Sequence, residues 1–368
     1  MRAMNRRNFI RLSGSALVGA ALPQPLSVLA QSAHPPEDHV EGGFVPLRRG
    51  RVLAASVTVW DRIESPRTDV KRLLRDEVIL LGEERDVPGT GSAYNSLWYR
   101  TRGGWVHSAW VQPMEFHDRP AIYREAGPNG FWIEVIEPKI PAYKEPSLAA
   151  PKDYDYVYGT VYLVTDVAVD GSGAVWYETY DEYSDKALGI TPTHHWAQAQ
   201  RVRRIHESEF MAIRPEVPDK RIEVDLKTQT LTCFEGDVVV LTTKVATGAA
   251  FRQADGSVID YATPTGEHRV ILKQPTRHMR AIEGERDTDA WFDLPGVPWN
   301  TFFTYEGIAI HGTYWHNDFG IVRSHGCVNV PIPVAKFIYR WTFPTAPYTD
   351  AFVRGDVPGM SSTTVEVV

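Results

Sequence analysis

Cys327 follows the polar triplet Ser324-His325-Gly326, and His311 lies sixteen positions upstream of it. A thiol becomes a nucleophile when it is held as thiolate, and a neighbouring imidazole is the usual means. Gly326 lets the backbone turn sharply and approach a substrate closely just before the sulfur. The pairing reads as an acyl-transfer site, with Cys327 as nucleophile and His311 as the base that takes its proton. Backbone N–H groups of the 325–327 loop would then meet the tetrahedral oxyanion. A histidine in this role needs its second ring nitrogen held, so that the correct tautomer faces the sulfur. A rival uses the same region: His311, His316, His325 and Cys327 could supply tetrahedral zinc ligands, although no close pair such as C-x2-C is present. The other cysteine, Cys233, stands alone in a strand-like run and reads as a packed core thiol.

The elements around these residues must deliver them to a rim. Gly307-Ile308-Ala309-Ile310 reads as the end of a buried strand that carries His311 to its edge. Further upstream, Ile222, Val224 and Leu226 alternate with Glu223 and Asp225, the pattern of a half-buried strand. Leu231–Phe234 returns, and Gly236-Asp237 turns the chain into Val238–Val245. This is a β-meander. The glycines at Gly171-Ser172-Gly173 and Gly284 lack the strand-to-helix context of a phosphate site. Arg269–Lys273 reads as a further strand, followed by a long polar connection carrying Arg277, His278, Arg280, Glu283, Glu285, Arg286, Asp287 and Asp289. Such a connection is a lid or a solvated insertion. After the site, Val334, Phe337, Ile338 and Trp341 have helical spacing and stop before Pro344. Residues 351–368 read as a loose C-terminal tail.

Taken in order, Thr263-Pro264-Thr265-Gly266, Val297-Pro298-Trp299, His311-Gly312-Thr313, Gly320, Ser324-His325-Gly326-Cys327 and Asn329 resemble the signature of the L,D-transpeptidase catalytic domain, also called YkuD-like. Several short motifs in one order are more specific than any alone. The resemblance implies a β-sandwich-like catalytic domain over residues 220–350, with a short helix after the nucleophile loop. It implies a peptidoglycan enzyme that attacks the L,D bond of a tetrapeptide stem and forms 3-3 cross-links. If water resolves the thioester, the same site is an L,D-carboxypeptidase. The carbonyl of Gly312 would orient His311, while Ser324, His325 and Gly326 shape the loop, His325 supporting it rather than acting as the main base. Asn329 would hydrogen-bond substrate backbone, and Tyr314, Trp315 and Arg323 are candidates to line the groove. The implied partners are stem peptides and carbapenem inhibitors, with no cofactor and no metal.

Length and composition bound the rest of the chain. At 368 residues, with 43% hydrophobic and 23% charged residues, the sequence fits two or three folded domains. Residues 1–30 hold four arginines and no acids, so removing them takes the net charge from −7 to −11. So acidic a chain is not a nucleic-acid binder, which needs basic groups to neutralise phosphates. Asn5-Arg6-Arg7-Asn8-Phe9-Ile10-Arg11 resembles a twin-arginine export signal, with cleavage expected before Gln31 and export to the periplasm or the outer face of the cell. The apolar stretch Leu12–Leu22 is too short to span a bilayer, so membrane contact is expected only through this segment if it is uncleaved. Residues 31–43 read as a linker.

Residues 44–126 and 131–213 form an internal repeat. Trp98-Tyr99 and Trp176-Tyr177 are matching points, and the second unit widens the gap to its next tryptophan, inserting Asp181, Glu182 and Asp185. Short β-rich runs between Gly, Pro and Asp turns fit a small barrel, and each unit resembles a bacterial Src-homology-3-like domain. Their tryptophans either present themselves to wall polymer or pack the barrels. A wall-binding scaffold with an inactive site is therefore the alternative of a different class. If the units only bind, chemistry and targeting should be separable on the chain. The expected fold is mainly β: two small Src-homology-3-like barrels followed by the catalytic domain.

Overall fold

The computed structural model describes residues 44–185, 189–252, 256–281 and 291–368. The export signal and the 31–43 linker lie outside the described residues, as do Gly284, Glu283, Glu285, Arg286, Asp287 and Asp289. The chain is mainly β, with one α-helix among the described residues, Ile332–Trp341. No described helix is long and apolar enough to cross a membrane.

Two seven-stranded sheets span Arg48–Met114 and Phe131–Arg204, and in each the strands lie in the order third, second, sixth, fifth, fourth, first, seventh. A 3-10 turn precedes the seventh strand in both, Ser108–Trp110 and Ala199–Arg201. The repeat is thus a repeat of topology. Trp98, Trp105, Trp132 and Trp176 are buried, so these rings pack the modules rather than offer themselves to a polymer. The acidic insert is a longer hairpin: Val175–Asp185 pairs with Gly189–Gln198 from Trp176↔Gln198 out to Asp185↔Gly189. It reaches the catalytic domain, where Asp181 accepts from the Gly296 N–H at 2.8 Å. Glu182 accepts there from Gln274 at 3.0 Å and Arg277 at 2.7 Å.

The catalytic domain is built on two five-stranded sheets. The first runs Val238–Lys244, Thr230–Glu235, Lys220–Asp225, Thr364–Val367, Gly266–Arg269. The second runs Val328–Val330, Ala309–Gly312, Asp293–Phe302, Leu272–Arg280, Val353–Arg354. Ile222, Val224, Leu231 and Cys233 from the first sheet share one core with Trp299, Ile310 and Val328 from the second. The helix adds Val334, Ile338 and Trp341 to that core and packs against the Asp293–Phe302 and Ala309–Gly312 strands. The core also takes in Trp132, Val161 and Phe210, so the second module is packed against the catalytic domain through apolar contact.

Three expectations are corrected here. The tail is not loose: Thr364–Val367 is an inner strand, parallel to Lys220–Asp225 and antiparallel to Gly266–Arg269, with Val365 and Val367 buried. The run Arg269–Lys273 is broken, since one strand ends at Arg269 and the next starts at Leu272. The polar connection starts later than its composition suggests, because Arg277, His278 and Arg280 belong to the Leu272–Arg280 strand. Their charges face the hairpin of the second module or Asp293 rather than solvent.

Candidate active site

Strand Ala309–Gly312 and strand Val328–Val330 are parallel, in the register Ile310↔Val328, His311↔Asn329, Gly312↔Val330. This register sets Cys327, one residue before the second strand, beside the strand that ends in His311. Parallel neighbours need a crossover, and here residues 313–327 supply it without a helix. His311, Cys327, His325, Asn329 and Trp315 line one cavity of about 750 Å³, with Phe251, Tyr261, Trp291 and Phe292 as its aromatic walls.

The cysteine loop is held by its own side chains. Ser324 Oγ donates to the Cys327 carbonyl at 2.5 Å and accepts from the Gly326 N–H at 3.2 Å. Gly326 has φ +107°, a region that disfavours any residue with a Cβ. Thr263, buried, donates from Oγ1 to the Gly326 carbonyl at 2.7 Å and accepts from the Gly248 N–H at 3.0 Å. Of the loop N–H groups expected to meet an oxyanion, one already has a partner. The Gly326 N–H is taken by Ser324.

His311 is buried, and its Nδ1 lies 3.1 Å from the Gly312 carbonyl. A carbonyl only accepts, so Nδ1 carries the proton and Nε2 is the basic nitrogen. Burial pushes the imidazolium down to about 4, with the Gly312 carbonyl working in the opposite direction. Cys327 is partly exposed at the cavity wall, its sulfur 3.9 Å from the Gly307 carbonyl. Loss of water around that sulfur pushes the thiol up to about 11, offset in part by the Ala309 backbone N–H. At neutral pH the resting pair is a neutral thiol beside a neutral imidazole.

The other expected site residues divide into two groups. Trp315 lines the cavity with its ring 5.8 Å from His311, and Asn329 lines it from the strand opposite. His325 is stacked on Phe251 at 4.3 Å with Tyr261 and Phe292 around it, a wall of the cavity rather than a base. Of Tyr314 and Arg323, only Tyr314 is a correction, since Arg323 lines the cavity. Tyr314 is buried and donates its hydroxyl to the Pro295 carbonyl. Arg323 reaches the cavity, but its guanidinium is bound to Asp318 and lies 4.5 Å over Trp110. The four side chains weighed as zinc ligands do not converge: among the described residues no three His, Cys, Asp or Glu side chains are grouped to hold a metal. Cys233 is fully buried, and burial pushes its thiol well up.

Thr263 and Asn317 are positions beside the site that the sequence left without a role, and His316 had one only as a candidate zinc ligand. Thr263 had a signal, since it opens the Thr-Pro-Thr-Gly motif, but the motif does not say which atom it holds. Asn317 had none. Its amide enters the first module, donating to Tyr99 Oη at 3.1 Å and to the Ser108 and Val111 carbonyls at 3.1 and 3.2 Å. Arg51 of that module donates to the Tyr314 carbonyl at 2.9 Å. The crossover is thus seated on the first module, a contact the repeat pattern did not suggest.

A thiol and an imidazole with one pinned nitrogen share a cavity on a mixed-β scaffold, an arrangement with the chemistry for cysteine–histidine acyl transfer. Residues 219–357 match the family model described as the L,D-transpeptidase catalytic domain, YkuD. Among solved structures the chain is similar to the L,D-transpeptidase of Xylanimonas cellulosilytica, at 22% identity over 43% of this chain and 63% of that one, with a TM-score of 0.28. It is also similar to that of Stackebrandtia nassauensis, at 21% identity over 44% and 60%, TM-score 0.26. The catalytic domain of the E. faecium L,D-transpeptidase matches at 23% identity over 41% and 98%, TM-score 0.29. The chain spans 63% and 60% of the first two proteins' lengths. No curated protein matches the chain.

Proposed function

We propose that this chain is an exported, cysteine-dependent L,D-transpeptidase that joins peptidoglycan stem peptides. The observation that carries the reading is the Nδ1 of His311 held 3.1 Å from the Gly312 carbonyl, in the cavity that also holds Cys327. Held this way, Nε2 takes the thiol proton as sulfur attacks the carbonyl of the third stem residue. The oxyanion meets the Cys327 N–H, a loop amide that Ser324 does not occupy. Collapse expels the terminal D-alanine amine, which takes the proton back from His311, and leaves a thioester on Cys327. The amine of a second stem then attacks that thioester, its proton passes through His311 to the sulfur, and a 3-3 cross-link results. The aromatic walls of the cavity, Trp315, Phe251, Tyr261 and Phe292, limit water at the thioester, which favours the amine as acceptor.

The test is to incubate the enzyme with soluble tetrapeptide muropeptides and weigh the products. Cross-linked dimer is the expected outcome; tripeptide alone makes the enzyme an L,D-carboxypeptidase, and unchanged substrate makes it a scaffold. A carbapenem, whose strained amide presents the same carbonyl chemistry, is expected to add its mass to Cys327. The Arg6-Arg7 pair in a charged-then-apolar leader supports export. Replacing both by lysine should leave the enzyme inside the cell, as fractionation would show.

A further inference from the structure

The crossover between His311 and Cys327 holds a second histidine that the acyl-transfer steps do not use. His316 is 4% exposed, its ring fixed between Phe319 and Trp315 at 5.3 and 6.2 Å. Its Nδ1 lies 3.2 Å from the backbone nitrogen of Asp318, a group that only donates. Its Nε2 lies 3.0 Å from the side-chain amide of Asn329. A neutral imidazole has one acceptor nitrogen, and a protonated one has none. Nδ1 is therefore the acceptor, and Nε2 carries the proton and donates.

The atom of Asn329 that faces Nε2–H must then be its oxygen, because amide oxygen and nitrogen are distinguished by their partners. With its nitrogen toward His316, Asn329 would set donor against donor and leave Oδ1 buried with no partner among the described residues. Turning the amide over removes both faults. It also puts the NH2 group where that orphaned oxygen lay, in the wall Asn329 shares with Cys327 and His311. Asn329 cannot swing away, since its backbone pairs with Ala246 on one side at 2.9 and 3.0 Å and with the His311 strand on the other.

We propose that His316 is a positioning residue: its Nε2–H holds Asn329 Oδ1, and so fixes the Asn329 NH2 as a donor for a backbone carbonyl of the acyl-donor peptide. The inference rests on the acyl-transfer reading of Cys327 and His311. Burial, with Arg323 and His311 acting in the same direction, pushes the His316 imidazolium down to about 3, so the arrangement persists across the working range of pH. The anchoring also runs outward, because the Asp318 N–H that sets the tautomer follows Asn317, the residue seated in the first module.

Two measurements test this. Side-chain nitrogen NMR of histidine-labelled full-length protein, with His316 assigned by its loss in His316→Gln, should show the Nε2–H tautomer at neutral pH. An Nδ1–H tautomer overturns the proposal. The second is a double-mutant cycle on a soluble tetrapeptide donor, reading kcat and KM for His316→Leu, Asn329→Ala and the pair. His316→Leu should cost about 10-fold in kcat/KM, mostly through KM, and nothing further when Asn329 is already alanine. Independent, additive losses overturn it. His316→Gln, whose amide can still donate to Asn329, should stay near wild type and serves as the folded control if the leucine variant does not fold. An enzyme that turns over no donor would defeat the functional reading, yet the tautomer would still decide the His316–Asn329 hydrogen bond.

Discussion

The side-chain nitrogen of Asn317, between His311 and Cys327 in the chain, sits 3.1 Å from the backbone oxygen of Ser108, in the first module. The backbone joins in, with the Asn317 N–H donating to the Ala109 carbonyl at 2.9 Å. Tyr94 of the same module donates to Asp318 at 3.4 Å, and Trp110 lies under Arg323. The loop that must hold its two ends in register is thus held at its far turn by another domain.

A chain of residues 216–368 should for this reason lose most of its activity even on small soluble donors. In the full chain, Asn317→Ala leaves the Ser108 and Val111 carbonyls short of a donor, at about 1–3 kcal/mol of destabilisation. The rate of carbapenem acylation, followed by intact mass alongside the melting temperature, reads both effects. Unchanged acylation by residues 216–368 would make the first module a passive spacer.

The two thiols should behave as opposites. Cys327→Ala is expected to abolish turnover. Cys233→Ala should keep turnover and lose about 1 kcal/mol or more of stability from the buried strand it vacates. In native protein iodoacetamide should label Cys327 alone, because Cys233 is fully buried. Peptide mapping after alkylation checks this, and equal labelling at both sites would contradict it.

Acid should stop the enzyme later than an ordinary histidine would allow. Burial holds His311 neutral down to about pH 4 rather than 6.5, so kcat/KM should fall only as pH drops toward 4. On the alkaline side the thiol, pushed up to about 11, should alkylate faster by about tenfold per pH unit until that value is approached. His311→Ala should cost about 10²–10⁴-fold at neutral pH. That deficit should shrink as pH rises, because hydroxide then makes the thiolate that the imidazole no longer makes. A deficit flat with pH would assign His311 a structural role.

Thr263 should matter through its hydroxyl alone. Thr263→Val keeps the shape but leaves the Gly326 carbonyl and the Gly248 N–H unpaired, so it should destabilise by about 1–3 kcal/mol and slow acylation. Thr263→Ser should restore most of both. Parallel melting curves and acylation rates of the two variants separate the hydroxyl from the methyl group.

The site was legible because its parts are local in sequence. His311 ends an apolar run, Cys327 follows a polar turn with a required glycine, and the meander and the helix announce themselves by period. What stayed hidden depends on partners far along the chain. Val365 and Val367 are one short alternation after a Ser-Ser-Thr-Thr run, and nothing beside them names Ile222 and His268 as neighbours. Asp181 and Glu182 look like solvated acids because Gly296, Gln274 and Arg277, which receive them, lie about a hundred residues on. The contacts of Arg51 and Asn317 are to backbone carbonyls, so they leave no apolar pattern to read. Tyr314 and Arg323 carry the right chemistry for a groove, and only the packing around them shows that it is already spent.

The position of Thr364–Val367 between Lys220–Asp225 and Gly266–Arg269 also sets an order of events during synthesis. A chain emerging from the ribosome delivers both neighbours long before the strand that joins them, so the early meander waits with an unpaired edge. Exposed edges of that kind invite pairing with other chains, and a chaperone that covers one would shield it. Gly266–Arg269 follows Thr263, the residue that pins the nucleophile loop, and it is fastened to the sheet only when the late strand arrives. The loop that carries Cys327 thus depends, through Thr263, on a strand that begins 37 residues after it.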